Sequence, residues 1–157
     1  MIGHDPDDRG LFITIEGGDG SGKTTQAQLL TAALESESLT VLRTREPGGT
    51  QIGTTIREIV LHHRGEVNAK AEALLYAADR AQHIATVVEP ALERGDVVLQ
   101  DRYIDSSIAY QGMGRGLGQN TIRELSLWAA GGLLPDLTIL LDISVAEGRA
   151  RLDGART

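Results

Sequence analysis

The sequence predicts an α/β fold in which a parallel sheet is covered by helices on both faces, and three observations predict it. Four short, largely apolar runs, at Leu11–Ile15, Val41–Leu42, Val97–Leu99 and Leu137–Leu141, have the composition of strands buried on both sides. Stretches with apolar residues at helical spacing stand between them. A glycine-rich turn, Gly17 to Thr25, lies directly behind the first run and opens the first helical pattern.

Taken in order, Ala27, Leu30, Ala33 and Leu34 mark a helix that fades near Glu35 to Ser38. A second strand runs from Val41 through Arg45-Glu46 until Pro47-Gly48-Gly49 forces a loop. Ile52, Ile56, Ile59 and Val60 give another helix, closed by His62 to Gly65. The longest helix covers Ala69 to Arg94, with Leu74, Ala78, Ala81, Ala85 and Val88 on the side expected to pack and Pro90 expected to kink it or begin a new turn. Asp96 to Asp101 reads as a buried strand ending in a carboxylate. A short helix around Asp105 to Tyr110 precedes a loop, Gln111 to Gly118, that is mobile by composition. Thr121 to Ala130 forms an amphipathic helix, Leu137 to Asp142 a strand, and a last helix starts near Val145. No repeat, low-complexity tract or interdomain linker interrupts the 157 residues, a length that suits one domain. Nothing after Thr157 returns to the sheet, so the chain is expected to be a piece of a longer protein.

Gly17, Gly22, Lys23 and Thr24 satisfy the phosphate-loop pattern G-x-x-x-x-G-K-[ST] in its required strand-to-helix setting. Backbone N–H groups of Gly17, Gly18, Asp19, Gly20, Ser21 and Gly22, with Thr25 following, are expected to cradle phosphate oxygens at the positive end of the new helix. Lys23 supplies a point charge for the β and γ phosphates, and the Thr24 hydroxyl is a Mg²⁺ ligand.

A formal charge of −7 argues against nucleic acid or an anionic membrane as the main partner. With no cysteine there are no disulfides or thiolate metal sites, and the acidic start of the chain has no secretory apolar core. No run reaches membrane-spanning length, and the protein is expected to be cytoplasmic. His4, His62, His63 and His83 show no metal-ligand spacing.

A phosphate loop alone leaves kinase, GTPase switch, motor and transporter ATPase open. No N-K-x-D string for guanine is present, and no D-x-x-G follows the loop. The strand-end pair Asp101-Arg102 fits a small kinase holding two phosphorylated ligands, and equally a structural ion pair. On the residues alone, Tyr76 is also readable as a core aromatic and Arg80 as a solvated helix charge. Asp105 and Ser106 read as helix-start residues.

The loop with Asp19 inside it, TREPGGT at Thr44 to Thr50, Arg57, LLYAADRAQH at Leu74 to His83, DRYIDSSIAYQG at Asp101 to Gly112 and PDLTILLD at Pro135 to Asp142 together resemble thymidylate kinases of the bacterial type, from about Leu11 onward. The resemblance implies a three-layer P-loop kinase fold, a central parallel sheet flanked by helices, missing its C-terminal strand and helices. It implies one domain over 1–157, with a polar tail over 1–10 and the start of a truncated lid over 146–157. The implied reaction moves the γ-phosphoryl group of MgATP to the 5′-phosphate of dTMP, giving dTDP and ADP; the alternatives are a kinase for another nucleotide and a non-catalytic nucleotide-binding module.

By the same resemblance, Asp101 joins Thr24 at Mg²⁺ through water, and Arg102 bridges donor and acceptor phosphates. Arg45 falls near the acceptor, Glu46 near metal and sugar, and Asp19 at the 3′-hydroxyl. Tyr76 stands where the family commonly stacks phenylalanine on thymine; Arg80 bonds the base carbonyl; Ser107, Gln111 and Arg57 surround the base; Tyr110 crowds C2′. A lid arginine, matched to Arg151 among Arg149, Arg151 and Arg156, adds charge on closure, and the family is homodimeric through helices flanking the sheet.

Overall fold

The computed structural model describes residues 9–154; the predicted tail up to residue 8, His4 and Arg156 lie outside them. Four strands, β1 (Phe12–Gly17), β2 (Val41–Arg45), β3 (Val97–Asp101) and β4 (Leu137–Leu141), form one parallel sheet in the order β2-β3-β1-β4. The helices are α1 (Lys23–Ser36), α2 (Gln51–His62), α3 (Ala69–His83), α4 (Glu89–Glu93), α5 (Ile104–Ser107), α6 (Gln119–Ala129) and α7 (Val145–Gly154). π-Helical segments at Ile84–Val88 and Ile108–Gly114 continue α3 into α4 and extend α5.

Side-chain alternation along the strands divides the core in two. Ile13, Ile15, Val97 and Leu99 pack with Ala27 of α1, and Leu30, Leu34 and Val41 flank them. Phe12 and Val98 point the other way, to Ile84, Val88, Ala91, Leu92, Tyr103 and Ile104. Phe12 and Tyr103 meet edge to face, ring centroids 5.1 Å apart. The same period of two continues into the polar strand ends. Thr44, Glu46 and Gln100 fall on the α3 side, while Arg43, Arg45 and Asp101 fall on the α1 side with Thr24.

Three sequence expectations change. Leu74, Ala78, Ala81 and Ala85 are exposed, and α3 instead buries Ala73, Ala77, Asp79, Arg80 and His83. The reason is that the polar side of α3 finds partners for its charges under β2 and α6, whereas its apolar stripe faces away from the chain's own core. The long helix is interrupted first by the π-helical turn at Ile84–Val88, and Pro90, which cannot donate to the preceding turn, stands in the first turn of α4. Gln111 to Gly114, expected as loop, is helical: the π-helical segment buries Gln111 and Gly112, and open loop begins only at Arg115.

A candidate phosphotransfer site

β1 ends at Gly17, and the loop turns through Gly20 (φ 78°) and Gly22 (φ 92°), left-handed conformations that favour glycine. Gly22 precedes α1 directly, so the loop hands its N–H groups to the helix start. The Lys23 ammonium donates to the carbonyls of Gly17 at 2.9 Å and Gly18 at 3.1 Å. Burial, then the neighbouring Arg102 guanidinium, lowers its pKa, opposed by Asp101, Asp19 and Glu16. An anion bound in the loop would restore it.

β1 and β3 are neighbours, with Ile15 opposite Asp101, so the phosphate loop and the Asp101-Arg102 pair leave adjacent strands side by side. Arg102 has φ 66° and donates from one guanidinium nitrogen to Asp19 Oδ1 at 2.7 Å and from the other to Ser106 Oγ at 3.2 Å. Its guanidinium carbon lies 5.3 Å from the centre of the Tyr110 ring.

Beneath Arg102 opens a cavity of about 640 Å³ lined by Asp19, Glu46, Arg57, Tyr76, Arg80, Arg102, Ser107, Tyr110 and Gln111, together with Glu72, Tyr103, Ser106 and Arg115. Its floor is rigid. Arg80, 2% exposed, donates to Glu46 Oε2 at 2.8 Å, Ser126 Oγ at 2.9 Å and Ser107 Oγ at 3.2 Å, and lies over the Tyr103 ring. Three of its five N–H groups are thereby spent, and two remain for a ligand. The second Glu46 oxygen meets His83 Nδ1 at 3.0 Å, and His83 Nε2 meets Thr44 Oγ1 at 2.6 Å. Asp79 accepts from the Gly48 N–H at 3.0 Å, fastening the loop after β2. Gln111 donates to Glu72 at 3.1 Å, and Arg57 to the Pro47 carbonyl at 2.9 Å.

A second cavity, about 370 Å³, lies on the α1 side of the strand ends and is lined by Thr24, Arg43, Arg45 and Asp101 among others. Asp101 Oδ1 is buried there with no hydrogen-bond partner among the described residues. An unpartnered carboxylate oxygen beside a threonine hydroxyl suits a hard cation that takes oxygen ligands. No group of three or more His, Cys, Asp or Glu among the described residues is placed to hold a metal unaided, so phosphate oxygens or water would complete the set.

The structure thus gathers every expected substrate-contacting residue around the larger cavity except Arg45. Strand alternation sends Arg45 to the α1 side with Asp101, opposite in register, while its neighbour Glu46 turns into the larger cavity. Arg151 is exposed on α7 and lines neither cavity. The half of α7 nearer the loop does reach it, for a side chain on Gly20 would strike the Gly148 backbone. Sequence reasoning placed His83 in the helix sector of Tyr76 and Arg80 without giving it a role, read Ser106 only as a helix start, and missed Glu16, Asp79 and Ser126. Glu16, at the end of an apolar strand, was a legible signal. Ser126 had none.

A phosphate loop on an inner strand of a parallel sheet, an arginine spanning from it to a neighbouring cavity, and a charge-lined floor define a P-loop phosphotransferase. The family model for thymidylate kinase matches residues 15–157. A thymidylate kinase from Leifsonia xyli subsp. xyli is 69% identical over 148 residues, covering 94% of this chain and 70% of the relative. One from Bifidobacterium longum is 54% identical over 150 residues, covering 93% and 73%. The crystal structure of thymidylate kinase from Ehrlichia chaffeensis superposes with a TM-score of 0.81 at 38% identity, covering 94% of this chain and 85% of that one. The chain belongs to the thymidylate kinase family.

Proposed function

We propose that this chain transfers the γ-phosphoryl group of ATP to the 5′-phosphate of dTMP, giving dTDP and ADP. The observation that carries this reading is Arg102, which reaches from the rim of the larger cavity to Asp19 of the phosphate loop. The acceptor phosphate has a second pKa of about 6 and is largely a dianion near neutrality, so no general base is required. The site must instead bring two anions together and stabilise the charge spread over the transferring group. Lys23 and the loop N–H groups hold the donor phosphates, and Arg102 faces both ligands. Arg80, with Ser107 and Gln111 beside it, meets the base edge; Tyr76 stacks on the ring; Arg57 closes the cavity; Asp19 and Tyr110 meet the sugar. Glu46 holds Arg80, while Arg45 acts from the metal side.

Thr24 and Asp101 would hold Mg²⁺, which when bound neutralises charge on the β and γ oxygens. Arg151 is assigned to closure: α7 seats against the phosphate loop at Gly148, and a swing about that contact brings Arg151 over the donor. The exposed stripe Leu74, Ala78, Ala81 and Ala85 supports a homodimer through α3, testable by sedimentation. No helix among the described residues is long and apolar enough to cross a membrane, and a cytoplasmic location accords with that.

The test is ADP release with MgATP against dTMP, dUMP, dCMP, AMP, GMP, thymidine and no acceptor. Release that depends on dTMP well above the others is expected. Equal stimulation by another monophosphate would reassign the base pocket, and acceptor-independent nucleotide binding without release would point to a non-catalytic binder.

A further inference from the structure

We propose that Glu16, at the end of β1, positions Arg102, acting through Ser106 and through a single peptide plane. Strand alternation turns Glu16 away from α1, toward α5, where it is 5% exposed. One carboxylate oxygen accepts from the Tyr103 N–H at 2.7 Å, and the other from the Ser106 hydroxyl at 2.6 Å. The Arg102 carbonyl, on the opposite edge of the same 102–103 peptide, accepts from Gln100 Nε2 at 3.0 Å. The peptide that carries Arg102 in its left-handed conformation is therefore clamped on both edges, and Glu16 is one jaw.

The second path runs through hydroxyl polarity. Ser106 has one proton to give. Arg102 can only donate, so Ser106 Oγ must accept from it, and the Ser106 proton must go elsewhere. Glu16 Oε2 takes it over a short, charge-assisted bond. Glu16 thus fixes which way Ser106 points its lone pair and, with it, where the guanidinium rests. Burial raises the Glu16 pKa, opposed by these same bonds, so the position is costly for a carboxylate without a task. Glutamine at this position has one acceptor for two donors, and its NH₂ would confront either the Tyr103 N–H or the Ser106 hydroxyl.

The proposal rests on the phosphate-bridging role given to Arg102, and the experiment separates the two. Binding of dTMP and of thymidine would be measured by calorimetry for the wild type, Glu16→Gln, Ser106→Ala and the double variant, and the Arg102 Nε–Hε resonance, assigned by Arg102→Lys, would be followed in each. Each single variant is expected to weaken dTMP about ten-fold, as for loss of one charge-assisted bond, and thymidine by less than about two-fold. The double variant should be no weaker than the weaker single one, because both act on one arginine. The Arg102 resonance should move to the position of a free guanidinium. Equal weakening of both ligands, unchanged dTMP binding, or losses that multiply in the double variant would overturn the proposal, as would an unmoved resonance. A wild type that binds the two ligands alike would count against the role of Arg102 instead, and the resonance would still decide that of Glu16. Should Glu16→Gln not fold, Ser106→Ala carries the same comparison.

Discussion

Arg80 and Glu46 form an ion pair at 2.8 Å whose side chains are 2% and 3% exposed, and the pair joins α3 to the loop that follows β2. Neither charge has water to fall back on. Glu46→Ala would leave the Arg80 guanidinium buried without its counter-ion, an expected loss of about 3–5 kcal/mol. Urea denaturation of both proteins measures it, and a loss under about 1 kcal/mol would show that the pair is not what holds this loop.

Arg80→Ala is expected to weaken dTMP at least about ten-fold and to leave ATP binding nearly unchanged, since Arg80 lines the larger cavity and not the phosphate loop. Calorimetry with each nucleotide decides; an equal fall in both, from a folded variant, would contradict the base-edge role.

Asp79 is fully buried, and burial first, then the Glu46 charge, holds its carboxyl above the ordinary carboxylate range against the Gly48 N–H, His83 and Arg80. An acid whose pKa is raised on folding contributes stability that is complete below its ordinary value of about 3.9 and is lost as pH rises through the raised value. Asp79→Asn removes that dependence. The stability of wild type minus variant should therefore decline as pH is raised from about 4 toward neutrality. Parallel curves would mean that Asp79 does not titrate differently on folding.

Gly53 sits where a Cβ would strike Asp79 Oδ1 and come within 3.0 Å of Thr50 Oγ1. Thr50 caps α2 through its bond to the Gly53 N–H, 2.9 Å long. Gly53→Ala is expected to cost about 1–3 kcal/mol, more than helix propensity would return. Thermal unfolding checks it, and a stabilised variant would refute the packing argument.

Arg151→Ala should lower kcat with the dTMP affinity preserved, because Arg151 lines neither cavity but stands on the helix seated against the phosphate loop. An unchanged kcat would remove Arg151 from the reaction.

The fold class and most of the site were legible because both rest on short-range patterns. The phosphate loop is a contiguous string, and strand-end carboxylates and their neighbours follow a period of two. α3 was misread because periodicity locates two sides of a helix without saying which is inside. Here the charged side wins, since Glu46, Ser107 and Ser126 supply hydrogen bonds for it, and those partners come from residues 27 to 46 positions away. Ser126 and Ser106 illustrate the same limit: a lone serine acquires meaning only when tertiary packing sets an arginine against it. The resemblance places Arg45 near the acceptor without saying on which side of the sheet it lies; pleating decides that, and sets it on the α1 side with Asp101.

The register that sets Ile15 opposite Asp101 also has the Arg102 N–H donate to the Ile15 carbonyl at 3.0 Å. Donor loop and acceptor arginine therefore leave from neighbouring rungs, and their separation begins from the interstrand spacing of about 4.8 Å. The points from which the phosphate loop and the Arg102 segment set out are in this sense gauged by the backbone ladder. Substitutions among the residues lining the larger cavity leave that backbone spacing in place. A slip in strand pairing would alter that backbone spacing, and the buried residues on both faces of the sheet oppose one.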